Sequence, residues 1–120
     1  MKETNWLQQV DATLTDLASM NVALKSKPKM VKIRAMAKLV QLGLHDEKTI
    51  LELHQLSKCL DEDTDTVLGT WMLGHFSMAA LYEICRERNL NAYNAIFDSL
   101  DEDNQYIING IIERKHIYDL

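Results

Sequence analysis

The chain is predicted to be all-α, about six helices forming three stacked helical hairpins in one domain over residues 1–120. Three observations predict this. One Pro and four Gly in 120 residues are too few turn formers for a β-sandwich or barrel. Apolar residues recur at steps of three and four along most of the length. The tetrapeptide Leu-Asp-Glu-Asp occurs twice, at Leu60-Asp61-Glu62-Asp63 and Leu100-Asp101-Glu102-Asp103, each time between two helical patterns. At the same offset Leu53, Leu56, Leu60 and Val67 align with Tyr93, Ile96, Leu100 and Ile107. A slightly shorter offset sets Leu17, Met20, Leu24 and Val31 on Leu53, Leu56, Leu60 and Val67. Recurrence of this length marks stacked helical repeats, which usually bind other molecules rather than transform them. A compact six-helix bundle is the alternative architecture.

The first helix is expected near residues 5–24, with Trp6, Val10, Leu14, Leu17, Met20 and Leu24 on one stripe. Lys25-Ser26-Lys27-Pro28 ends it, and Pro28 suits the first turn of the second helix. That helix runs to about Leu42 and stops at Gly43, a natural C′ residue. Val31, Ala35, Leu39 and Leu42 share its apolar stripe, and Arg34, Lys38 and Gln41 its polar one. Asp46 can cap a third helix through Leu60, with Ile50, Leu53, Leu56 and Leu60 inward. The fourth is expected from about Thr64 to Arg88, with Asn89 as its left-handed terminator. Between Thr66 and Tyr82 it is nearly uncharged and apolar all round, as a buried helix would be. Within it Gly69, Gly74, Ala79 and Ala80 allow close packing, and Gly74 is a candidate bend. Tyr93, Ile96, Phe97 and Leu100 mark a fifth helix near 91–100, and Ile107, Ile108, Ile111 and Ile112 a sixth near 104–118.

The segment from Val31 to Gly43 resembles the second helix of a HEAT repeat. That pattern has Val, Ala four on, Leu eight on and a closing Leu-Gly, here Val31, Ala35, Leu39 and Leu42-Gly43. The later copies depart from it, with Trp71 and Ile111 where Ala would sit. The similarity covers residues 28–43 closely and 15–115 loosely, and implies a HEAT-like or armadillo-like right-handed stack.

The net charge of −5 hides an asymmetry. Residues 1–60 carry nine Lys/Arg and six Asp/Glu, a net of +3, while residues 61–120 carry four and twelve, a net of −8. Lys25, Lys27, Lys29, Lys32, Arg34 and Lys38 fall where no acid occurs between Asp16 and Asp46. The molecule is thus expected to have a basic and an acidic flank. No apolar run approaches a membrane span, and the first residues lack the apolar core of a signal peptide. Cys59 and Cys85 lack metal or redox spacing and read as buried, reduced thiols of a cytoplasmic protein.

Aligning the repeats places three turns on one edge: Lys25 to Lys29, Asp61 to Asp65, and Asp101 to Gln105. Acids just before a helix cap free N–H groups and meet the positive end of the dipole. One cap needs one or two acids, and four occur at 61–65, so the surplus suits a cationic partner. The basic turn opposes the dipole, which suits an anionic partner or a screened, solvated cluster. Asp61, Asp63 and Asp65 imitate an EF-hand start, but Thr66 and Met72 stand where the loop needs Gly and Glu, which argues against calcium. Neither His54 with Cys59 nor His75 with Cys85 matches a zinc or nucleophile spacing. His75 therefore reads as a hydrogen-bonded core residue, and Trp71, Met72, Phe76 and Met78 as core. Trp6, Tyr106 and Tyr118 are either buried end-caps or interface anchors.

The expected function is non-enzymatic binding of a protein with a basic surface, with no cofactor, metal or membrane. The candidate partner-binding residues are Asp61, Glu62, Asp63, Asp65, Asp101, Glu102, Asp103 and Tyr106, and Lys25, Lys27, Lys29 and Lys32 form a second patch for an anionic partner. In size, charge and build the chain resembles the small immunity proteins of bacterial toxin–immunity pairs. That resemblance implies an inhibitor (antitoxin) covering a basic toxin such as a nuclease. The competing readings are a regulatory adaptor or scaffold, including a homo-oligomer joined basic flank to acidic flank, and a nucleic-acid binder using Lys25–Lys38. Overall acidity and the lack of interleaved aromatics weigh against nucleic acid.

Overall fold

Local capping chemistry decides where the helices begin and end. The computed structural model describes residue 9 and residues 12–119, so Trp6, Val10 and the Tyr118 side chain lie outside the described residues. The long first helix is interrupted. Asp16 adopts an extended conformation, accepts from the Ser19 N–H and receives the Ser19 hydroxyl on its own carbonyl, and α1 is Leu17–Leu24. Such a cap is an internal start signal that the apolar stripe alone conceals.

Helix α2 is Lys29–Leu42, with Pro28 as its N-cap, one place before the expected first turn. Gly43 ends it at φ +65°, with Gly43 N–H on the Val40 carbonyl and Leu44 N–H on that of Leu39. These two bonds make a Schellman motif, which requires the left-handed residue that Gly supplies most readily. Ile33, Ala35, Met36, Ala37, Leu39 and Val40 are buried, whereas Leu42 is exposed rather than inward. Asp46 caps α3, Glu47–Leu56, as expected, but the helix ends four residues before Leu60.

The expected fourth helix begins late. Thr66–Leu68 (β1) and Trp71–Met72 (β2) form an antiparallel hairpin instead, and helix α4 is Leu73–Cys85. Gly69 opens the two-residue turn at φ +58°, where a β-hairpin turn favours Gly. An uncharged apolar run satisfies a buried helix or a strand equally well, and here the β-branched and aromatic residues of 66–72 win. From Leu73 to Leu81 every residue of α4 is buried, as its all-round apolarity predicts. Gly74 does not bend the helix. It lies in the first turn, where its N–H reaches the Cys59 carbonyl at 2.9 Å and a Cβ would meet the Ser57 and Cys59 carbonyls at 2.8 Å. Asn89 is not left-handed; its side chain accepts from the Asn91 N–H at the head of α5, Asn91–Ser99. Helix α6 is Glu102–Glu113 with Asp101 as its cap, two residues earlier than expected, and Lys115 turns the chain at φ +54° into a 3₁₀ helix, His116–Asp119.

Six α-helices among the described residues thus form an all-α fold with one small hairpin. Helix α1 packs on α2, α3 on α4, and α1 on α3. The inner helices follow in the order α2, α4, α6, with α4 between the other two. Helices α5 and α6 rest mainly on α4 rather than on each other, so the third hairpin is splayed. The 3₁₀ helix returns to α2 and α6 with Ile117 fully buried, and this closes the helices into a globule. Its radius of gyration, 13.5 Å, matches the ~13.6 Å expected of a compact chain of this length.

Candidate functional site

The two Leu-Asp-Glu-Asp turns meet across one cleft. Its volume is about 810 Å³, and its walls include Leu60, Glu62, Thr66, Met72, Asp101, Asp103, Tyr106 and Ile107, with the hairpin turn Gly69-Thr70 at the rim. Of the eight expected partner-binding residues, four therefore line it: Glu62, Asp101, Asp103 and Tyr106. Asp61, Asp63, Asp65 and Glu102 do not, although all but the half-buried Asp65 are exposed beside it.

Within each turn the carboxylates divide into two kinds. Asp65 accepts the Asp61 N–H at 2.9 Å, Asp61 accepts the Asp63 N–H at 2.8 Å, and Asp101 accepts the Asn104 N–H at 2.9 Å. These three hold backbone that would otherwise be unpaired, and Asp101 also opposes the positive end of α6. The carboxylates of Glu62, Asp63, Glu102 and Asp103 accept no hydrogen bond from any described residue.

His75 ties the two walls together beneath the cleft. Its Nδ1 accepts the Met72 N–H at 2.9 Å, and its Nε2 lies 2.7 Å from Asn104 Oδ1. Since Nδ1 is an acceptor, the ring is neutral and Nε2–H donates to Asn104. Burial holds its pKa below the ordinary histidine value, opposed by the Asn104 bond and the charge of Asp101. His75 is thus a satisfied core histidine, as expected from the sequence.

The basic turn lies on the same edge. Lys29 Nζ donates to the carbonyls of Thr64 at 3.1 Å and Thr66 at 2.7 Å, so the first hairpin anchors the acidic loop of the second. Lys32 Nζ donates to the Leu24 carbonyl at 3.0 Å, at the C-terminus of α1 where the dipole favours a cation. Two of the four lysines assigned to an anionic partner therefore serve the fold, while Lys25 and Lys27 are exposed.

Cys59 and Cys85 are free and half-buried rather than fully buried, and burial raises both thiols above the ordinary range. Among the described residues no group of His, Cys, Asp and Glu is placed to hold a metal ion. Among them also, no helix is long and apolar enough to cross a membrane.

Sequence reasoning missed the hairpin and what it presents. Leu68 projects from β1 at 65% exposure, and Tyr106 in the cleft wall is 81% exposed. Tyr106 is thus no buried end-cap. The available signal was Thr66-Val67-Leu68 and Trp71-Met72 flanking Gly69-Thr70, two strand-forming runs separated by a turn. Gly110 was equally unmarked in the sequence pattern, and it lines a second hollow beside the cleft, along α6. No protein-family model, no curated protein and no solved structure matches this chain.

Proposed function

We propose that this chain is a non-enzymatic binding module for a protein with a basic surface, and that it acts as a cytoplasmic inhibitor of the immunity-protein kind, covering a cationic toxin such as a nuclease. The observation that carries this reading is the convergence of both acidic turns on one cleft beside the exposed Tyr106. Carboxylates without backbone duties leave their oxygens open to a partner's donors, and Tyr is among the side chains that dominate interface energetics. The net −8 of residues 61–120 adds long-range attraction, which speeds encounter with a cation more than it tightens the final complex. A scaffold joined basic flank to acidic flank has less to draw on, because Lys29 and Lys32 are engaged within the fold.

The test mixes the purified chain with a panel of folded basic nuclease-toxin domains at low salt. The expected result is a complex that blocks the nuclease, weakens as salt rises, and is lost on the double change Glu62→Lys and Asp103→Lys. Absence of both complex and inhibition across the panel would sink the inhibitor reading.

A further inference from the structure

The acidic cleft does not end at Tyr106. A second hollow of about 320 Å³ continues along α6, bounded by Trp71, Asn109, Gly110, Glu113 and Arg114, and it shares Thr70, Tyr106 and Ile107 with the first. Gly110 gives this second lobe its meaning. Glycine inside a helix weakens it, and is normally kept for a positive φ or a close internal approach. Gly110 has neither: its φ is not positive, and a Cβ built there meets nothing within 4 Å. Nothing in the packing of the described residues calls for glycine at this position, yet a side chain there would enter the hollow.

The geometry points to a single groove, made of both lobes, that takes one extended cationic segment of a partner protein. Its Lys or Arg would lie among Glu62, Asp101 and Asp103, its apolar residue against Tyr106, and its main chain closest to the protein over Gly110. This rests on the proposed binding of a basic protein and specifies how that protein is held. From Asp103 to Glu113 the helix rises ~15 Å, which an extended strand covers in four or five residues at ~3.3 Å each. Charge sets the direction: three wall carboxylates mark one end, and the other has Glu113 and Arg114, of opposite sign.

A displayed library of random octapeptides, selected against the full chain, tests the inference. Enriched peptides should carry Lys or Arg toward one end and an apolar residue within the next few positions. Binding of the synthetic peptides should weaken at least tenfold in Asp103→Lys and at least tenfold in Gly110→Phe. Gly110→Gln, which suits a helix better, should weaken it several-fold, and circular dichroism should show both Gly110 variants folded. Selection of no peptide, or peptides whose affinity the two Gly110 variants leave within twofold, would overturn the groove. The folded-domain experiment is read separately: a toxin complex broken by Glu62→Lys and Asp103→Lys but indifferent to Gly110→Phe would keep the binding function and discard the extended segment. Peptides indifferent to Asp103→Lys would count against both.

Discussion

Two glycines in helices make opposite demands on the same substitution. At Gly74 a methyl group would collide with the Ser57 and Cys59 carbonyls and with Leu60 Cδ2, all at 2.8 Å. Gly74→Ala should therefore lower the stability measured by urea unfolding by about 1–3 kcal/mol, the usual range for overpacking. At Gly110 nothing is met, and Gly110→Ala should raise it by about 0.5–1 kcal/mol through helix propensity alone. His75 makes a prediction of a different kind. Its folded-state pKa lies below the ordinary value of 6.5, so the unfolded chain takes up a proton that the folded chain resists. Its share of stability is whole above pH 6.5 and is lost as pH falls below it, because burial penalises the charged ring and a second ring proton would face the Met72 N–H. Urea midpoints between pH 7.5 and 5 should fall more steeply for the wild type than for His75→Gln. The residue-level signals were partly legible: Gly43 as terminator, Asp46 as cap and His75 as core all follow from side-chain chemistry. Gly110 was not, since its significance depends on which side of α6 faces the hollow.

At the scale of elements, the hairpin β1–β2 is the part the sequence pattern misassigned. A buried helix and a short strand pair both tolerate the uncharged run after Asp65, and apolar periodicity does not separate them over seven residues. Asp16 was likewise concealed, because the apolar stripe continues in phase through the break. The hairpin is held from outside by Lys29, whose ammonium reaches two carbonyls at Thr64 and Thr66. Lys29→Ala should speed amide exchange in residues 64–72 about tenfold, equivalent to ~1.4 kcal/mol of local stability, and leave the core of α4 protected. Exchange rates in the hairpin equal to the wild type would show that the loop holds itself.

For the whole molecule, the apolar spacing foretold an all-α chain of about six helices but not its closure. Local spacing says which faces are apolar; it does not say that a short 3₁₀ turn after Lys115 carries Ile117 back to α2. That contact binds the last described segment to the first hairpin, and Trp71 meets His116 in a tilted ring pair with centres 4.9 Å apart. Ile117→Ala should cost about 2–5 kcal/mol, as for other fully buried aliphatic residues, and lower the thermal midpoint accordingly. The division among the acidic side chains has a further consequence, for the history such a protein can have. Asp61, Asp65 and Asp101 each accept a backbone N–H, so replacing any of them disturbs a turn. Glu62, Asp63 and Asp103 have no such duty, and a lineage can alter their sign or shape step by step while every intermediate still folds. Under the proposed binding role, the choice of partner can change at these positions at little risk to the scaffold.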